Sequence, residues 1–220
     1  MRYTLLDGSP RARSNTGLLL RALARGLEAE GQEIELRHLA RPRDRAEAPE
    51  LFARAECVVL GFPLYTDSMP GQVMELIERL EPRIGQPNPP IAFLVQSGFP
   101  EPGQSRAVER YLELLARRLR SRYLGTIVRG GVEGIQAQPP QMTRKLFARL
   151  ERIGRTLGRT GALDARELRE LAGPEWWTGL RRPLLRFFSW LGARMYWNRK
   201  LQQNGAYERR FDRPYAGGAS

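Results

Sequence analysis

The sequence predicts an α/β chain built on a doubly wound, five-stranded parallel sheet held between two layers of helices. Three observations carry that prediction. Segments of strand and helix character alternate from the N-terminus to about residue 160. Two strand segments, Cys57–Gly61 and Ile91–Val95, are unbroken apolar runs, as parallel strands covered on both faces require. Polar loops rich in Gly, Ser and Pro follow the strands, on the side where open α/β sheets bind ligands. Right-handed crossovers between such strands favour the order 2-1-3-4-5 in a three-layer sandwich.

The elements follow in order. Arg2–Leu6 reads as the first strand and Asn15–Glu30 as the first helix, with Leu18, Leu19, Ala22, Leu23 and Leu27 on one apolar face until Gly31 stops it. Glu33–Leu39 alternates Ile34, Leu36 and His38 with charged neighbours, the pattern of a strand exposed on one side. A short helix is expected over Ala48–Ala55, and another over Gly71–Leu80 between the two apolar strands. Ala107–Leu119 is strongly helical through Val108, Tyr111, Leu112, Leu115 and Leu119. Tyr123–Arg129 is the fifth strand, and Gly130, Gly131 and Gly134 read as a flexible connection to a helix over about Thr143–Thr160.

Past Gly161 the pattern changes, so the domain is drawn as residues 1–161, a helical extension as 162–216 and a disordered tail as 217–220. Leu163–Leu171 suits another helix. Trp176, Trp177, Phe187, Phe188, Trp190, Tyr196 and Trp197 then crowd into a basic segment. Leu180, Leu184, Phe187, Phe188, Leu191 and Met195 fall at helical spacing on one side, away from Arg182, Arg186 and Arg194. The arginines interrupt the apolar run too often for a transmembrane span. Extra core packing, a lid or dimer surface, and contact with an anionic membrane surface all fit this aromatic, basic helix. The tail from Asn198 to Tyr215 shows no clear element.

Composition narrows the function. A chain of 220 residues, 41% hydrophobic, supports an ordinary core without staples. The single cysteine, Cys57, sits in a buried strand segment, so no intrachain disulfide or cysteine metal cluster is available and a reducing compartment fits best. No secretory signal is visible, which makes the cytoplasm the expected location. The net charge of +12 comes almost entirely from arginine, since Lys145 and Lys200 are the only lysines; with no nucleic-acid motif present, it speaks for compositional bias rather than nucleic-acid binding. His38 is the only histidine, there is no GxSxG, and no acidic or His/Cys cluster has ligand spacing, so hydrolase and metal chemistry fail first. His38 reads as a surface residue at a strand end and Cys57 as a small buried hydrophobe.

Three loops carry the chemistry. Gly8–Thr16 holds Ser9, Arg11, Ser14, Asn15 and Thr16 between a strand and a helix start, where backbone N–H groups lack intrahelical partners; it matches neither GxGxxG nor the Walker pattern. A capped helix start would use the same residue types. The second loop, Gly61–Gly71, offers Pro63, Leu64, Tyr65, Asp67 and Ser68, either as an ordinary turn or as a flat apolar wall beside backbone donors. Met69 and Pro70 belong to the start of the next helix. The third loop, Gln96–Glu101, offers Ser97, Gly98 and Phe99, with Gly98 a candidate for positive φ and Glu101 a candidate solvated carboxylate.

In this order the loops resemble those of the flavodoxin-like NAD(P)H-dependent FMN reductase and quinone reductase family. GSPRxxSNT resembles the family's FMN phosphate loop, PLYTDSMPG its flavin-ring loop and SGFPE its third flavin-side loop, and the likeness covers roughly residues 1 to 160. The resemblance implies a flavodoxin-like fold with a C-terminal helical, aromatic-rich extension. It also implies FMN bound by Ser9, Arg11, Ser14, Asn15 and Thr16, by Pro63, Leu64, Tyr65, Asp67 and Ser68, and by Ser97, Gly98 and Phe99. The expected activity is transfer of two electrons from NADH or NADPH to a quinone, flavin, azo or nitro compound, in a homodimer or higher oligomer. No catalytic side chain is assigned, because the flavin supplies the chemistry. A flavodoxin-like electron carrier or flavin-binding partner protein without turnover of its own is the alternative.

Overall fold

The computed structural model describes residues 1–176 and 181–213. Five parallel strands, β1 (Arg2–Asp7), β2 (Glu33–His38), β3 (Cys57–Pro63), β4 (Ile91–Gln96) and β5 (Tyr123–Arg129), form one sheet in the order β2-β1-β3-β4-β5, as the crossover argument expects. Helices α1 (Asn15–Glu28), α2 (Pro42–Arg54), α3 (Gly71–Arg79), α4 (Arg106–Arg118), α5 (Pro140–Thr160) and α6 (Ala165–Ala172) complete the compact unit Met1–Trp176. Two cores result, one on each face of the sheet. Leu19, Leu23, Leu27, Val59, Leu94, Ile127, Leu150 and Leu157 bind α1 and α5 to one face, and Phe52, Phe62, Val73, Phe93 and Leu112 bind α2, α3 and α4 to the other.

The tightest helix contact is made possible by glycine. A Cβ on Gly26 of α1 would lie 2.0 Å from the Glu151 carbonyl oxygen, and one on Gly154 of α5 would lie 2.2 Å from that of Leu23, so the two backbones touch where no side chain fits. The Tyr3 hydroxyl, buried in β1, donates to the Leu157 carbonyl at 3.2 Å and joins α5 to the sheet.

The helix expected over Ala48–Ala55 is longer, running from Pro42 with Pro49 inside it. Pro49 has no N–H to offer the Arg45 carbonyl. Arg79 of α3 fills that vacancy: its guanidinium donates to the Arg45 and Ala46 carbonyls, both at 2.9 Å. A partner from another element thus carries the helix past a residue that would end it.

The compact unit extends beyond residue 161. Asp164 caps α6 by accepting from the N–H groups of Arg166 and Glu167, Leu163 and Leu168 pack over Gly125, and buried Leu171 completes that core. Glu175 then pairs with Arg106, and Trp176 lies against Gly103.

The second unit, residues 177–220, contains helix α7 (Arg181–Gln203). Its continuation through Gln203 corrects the expectation of a structureless stretch from Asn198. The apolar spacing read through Leu180, Leu184, Phe187 and Phe188, and the tail 217–220, lie outside the described residues or side chains. Among the described residues no helix is long and apolar enough to cross a membrane.

Candidate functional site

The loop between β1 and α1 is wound around a buried carboxylate. Asp7, only 1% exposed at the end of β1, accepts the Ser9 N–H at 3.0 Å and the Ser14 hydroxyl at 2.6 Å. Ser14 is the N-cap of α1, its Oγ accepting the Gly17 N–H at 2.7 Å. Gly17 leaves room for this arrangement, since a Cβ there would lie 2.6 Å from Asp7 Oδ2 and 3.0 Å from Ser14 Oγ. Burial pushes the Asp7 carboxyl above the usual carboxylate range, although Ser14, Ser9, His38 and Arg21 all favour its charged form.

His38 is 8% exposed, and its expected place on the surface is corrected. Its Nδ1 accepts the Ala40 N–H at 3.2 Å, which assigns the proton to Nε2 in the neutral ring. Nε2 then donates to the Arg11 carbonyl at 3.0 Å and lies 3.5 Å from Asp7 Oδ2. The imidazole therefore braces the middle of the loop from the end of β2.

The side chains of Ser9, Asn15 and Thr16 also turn inward. Thr16, fully buried, accepts at Oγ1 from Gln96 Nε2 at 3.2 Å, and Ser9 Oγ accepts the Arg11 N–H at 3.3 Å. Asn15 donates to the Val132 carbonyl at 2.8 Å and accepts from Gln136 at 2.9 Å, while Gln136 also donates to the Arg13 carbonyl. The loop after β5, expected to be a flexible connection, is thus fastened to α1. Two sets of donors stay uncommitted. Among the described residues, the backbone N–H groups of Ala12, Arg13, Ser14, Asn15 and Thr16 have no hydrogen-bond partner, and the hydroxyl hydrogens of Ser9 and Thr16 are uncommitted. The Arg11 side chain points away from the loop into solvent, with Nη1 3.8 Å from Glu133.

The second loop is a short hairpin. Tyr65 and Ser68 exchange two backbone hydrogen bonds of 2.9 and 3.0 Å around Thr66 and Asp67, whose φ values are +48° and +60°. Both central residues of this turn need positive φ, and neither is Gly or Asn. The Leu64 N–H donates to the Gln96 carbonyl at 2.7 Å and ties the hairpin to the third loop. Pro70 is the N-cap of α3, as expected, while Met69 lies before the helix and is buried in the core. A cavity of about 330 Å³ opens beside the hairpin, lined by Asp67, Ser68, Met74, Ile77, Val108 and Tyr111 among others.

In the third loop the Ser97 hydroxyl donates to the Phe99 carbonyl at 3.0 Å, and Phe99 is 61% exposed. Gly98 is not among the residues with positive φ; that role falls to Gly131 and Gly134 in the following loop. The Gly131 and Val132 N–H groups donate to the Phe99 and Ser97 carbonyls, so the third loop and the loop after β5 form one platform.

The structure therefore gathers all three predicted loops at the C-terminal edge of the sheet, together with residues that sequence reasoning left unassigned: Asp7, His38, Val132, Glu133 and Gln136. The signal for the last three was the glycine-rich segment after β5, which by the strand-end rule belongs to the same edge. Chemically, the first loop presents a fan of donors for an oxyanion, and Tyr65 and Phe99 present exposed aromatic surface. Cys57 takes no part, since burial pushes its thiol up to about 12 and keeps it protonated.

Comparison with known proteins agrees with this layout. Residues 1–129 match the family model described as NADPH-dependent FMN reductase. No curated protein sequence matches. Among solved structures, an NAD(P)H:quinone oxidoreductase from Methanothermobacter marburgensis is 18% identical, with a TM-score of 0.57 over 71% of this chain and 96% of that one. An NADH:FMN oxidoreductase in its apo form is 17% identical, with a TM-score of 0.56 over 79% and 96% of the two chains. An azoreductase is 12% identical, with a TM-score of 0.53 over 71% of this chain and all of the other. At these identities the likeness is one of fold.

Proposed function

This chain belongs to the NADPH-dependent FMN reductase family, and we propose that the loop between β1 and α1 anchors the phosphate of FMN while the two following loops receive the flavin ring. The chain is an oxidoreductase that uses FMN as cofactor and NAD(P)H as electron donor. The unpaired N–H groups of residues 12–16 carry the assignment, because they form an anion site whose side chains are already locked behind it. The hydroxyls of Ser9 and Thr16 add two donors, and Arg11, held only by an exposed and distant Glu133, can turn to the phosphate. In this reading Ser14 and Asn15 act through their backbone N–H groups, their side chains being occupied by Asp7, Gly17, Val132 and Gln136.

At the ring end we assign Pro63, Leu64, Tyr65, Asp67, Ser68, Ser97, Gly98 and Phe99 to the flavin. Half-buried Leu64 and exposed Tyr65 and Phe99 supply apolar surface, and the backbone of the hairpin supplies polar groups at its rim. Bound FMN supplies reversible two-electron chemistry, which accounts for a reductase whose one histidine is turned inward to brace a loop. The chain's own work is to hold and orient the cofactor and to admit the second substrate. The lining of the cavity beside the hairpin is apolar at Met69, Met74, Ile77, Val108 and Tyr111 and carries the carboxylates Asp67 and Glu78, which favours a flat, largely apolar acceptor such as a quinone over an anionic one.

Met74, Ile84, Tyr111 and Leu114 remain exposed on and around α3 and α4 and support a homodimer that covers this face. The buried reduced cysteine supports a cytoplasmic location.

The test is an absorbance spectrum of the protein after incubation with FMN and removal of free flavin, followed by anaerobic NADPH and then a quinone, an azo dye or free flavin. Retained flavin that bleaches with NADPH and recovers with one acceptor is the expected result and identifies that acceptor. Protein that retains no flavin overturns the assignment of the loops.

A further inference from the structure

From Arg181 to Gln203, α7 contains Arg181, Arg182, Arg186, Arg194, Arg199 and Lys200 and no acidic residue. The described side chains in its second half are large and solvent-facing: Trp190, Leu191, Met195, Tyr196 and Trp197 are 55, 39, 68, 39 and 61% exposed. Helical spacing gathers most of them on one half of the helix. Trp197 is two turns from Trp190, Leu201 one turn further, and Leu191 and Met195 lie one turn apart on the adjoining strip. Arg199 and Lys200 fall on the opposite half. Arg194 lies within the apolar half, its guanidinium 5.3 Å from the Trp190 ring centre, and Trp197 packs edge-on to Tyr196 at 5.3 Å.

We propose that α7 lies in the plane of an anionic membrane surface, with its tryptophan face in the lipid and its cations at the headgroups. Such a helix combines apolar area, Trp and Tyr at headgroup depth, and cations that reach outward along aromatic or aliphatic surface. Its length, about 34 Å, is that of a membrane span, but its cations recur along it and keep it in the interface. Charge decides among partners. Two copies of this helix would set cation against cation, whereas acidic lipid neutralises every one of them. A nucleic acid would satisfy the cations but leave Trp190, Leu191, Met195 and Trp197 in water. The lipid surface satisfies both halves.

The experiment is co-sedimentation of the full chain with vesicles of phosphatidylcholine alone and of phosphatidylcholine with phosphatidylglycerol, alongside quenching of tryptophan emission by phosphatidylcholine brominated in its acyl chains. Binding to the acidic vesicles only, with quenching, is expected. It should weaken as NaCl rises from about 0.1 M to about 1 M, where screening shortens from about 10 Å to about 3 Å. Trp190→Ala with Trp197→Ala, which leaves the net charge unchanged, should weaken binding at least about tenfold. Removing Arg194, Arg199 and Lys200 together (each →Gln) should weaken it on the order of a hundredfold. Flavin reduction by NADPH in solution should be unaffected by either set.

The wild-type experiment stands whether or not the variants fold. Failure to bind acidic vesicles, or binding without quenching, overturns the proposal. So does equal weakening when Arg43 and Arg159 of the first unit are removed, which would mark non-specific attraction to a basic protein. An oligomer that dissociates when the two tryptophans are replaced would give the face to a second copy instead.

Discussion

The two ends of the proposed flavin site are built on opposite principles. At the phosphate end, Ser9, Ser14 and Thr16 are at most 4% exposed, and Asp7, His38, Gln96, Val132 and Gln136 hold the loop from four directions. At the ring end, Thr66 and Asp67 sit exposed at the tip of a hairpin in a backbone conformation that costs energy. The lesson is that the donors for a phosphate are fixed before the ligand arrives, so little ordering remains to be done on binding. The ring end keeps a strained, water-facing turn instead, as a segment that adjusts to different acceptors would.

The sharpest way to break this contrast is Gly17→Ala. The new Cβ would strike both Asp7 and Ser14, unseating the cap and the loop together. We expect FMN affinity to fall at least about tenfold and stability by about 1–3 kcal/mol, the range for disturbing a buried hydrogen-bonded group; flavin fluorescence titration and thermal melting read the two effects. An unchanged affinity would mean that the Asp7 scaffold is not what positions the N–H fan.

Replacing Thr66 and Asp67 by Asn and Gly tests the other end. Residues that accept positive φ should raise stability by about 1 kcal/mol, seen as a higher urea midpoint, while acceptor preference shifts. Loss of stability would show that the Thr66 or Asp67 side chain supports the hairpin.

Acidity separates the ends further. The folded-state pKa of Asp7 lies above its unfolded value, so folding favours the protonated form. The stability this contributes is complete below the usual carboxylate range and is lost as pH rises through the raised value. Wild type should therefore lose stability relative to Asp7→Asn as pH climbs from about 4 toward neutrality. Chemical denaturation of both proteins across that interval measures the difference, and a constant difference would contradict the burial cost assigned to Asp7. The smallest effect is expected for Arg11→Ala: FMN binding weaker by a few-fold at low salt, less at high salt, with the melting temperature unchanged. An affinity equal to wild type removes Arg11 from the site.

Much of this architecture could be read from residue pattern. The apolar runs of β3 and β4 marked parallel strands covered on both faces, and right-handed crossovers between them then led to the sheet order. Pattern failed where one element is completed by another. Pro49 reads as a helix breaker until Arg79 arrives from α3 to serve the stranded carbonyls. His38 alternates like a surface residue, but the end of its strand faces the Arg11 carbonyl and Asp7. Val132 and Gln136 carry no motif at all. They matter through a backbone oxygen and an amide that meet Asn15 across 117 and 121 residues of chain.

The buried histidine has a practical consequence. Since the chain has one imidazole, its ring signals in a nitrogen-correlated NMR spectrum need no assignment, and they report directly on the hydrogen bond to the Arg11 carbonyl. Wild-type protein thus contains its own spectroscopic label beneath the phosphate loop, able to register arrival of a flavin, a free phosphate or a competing anion without a reporter group being introduced.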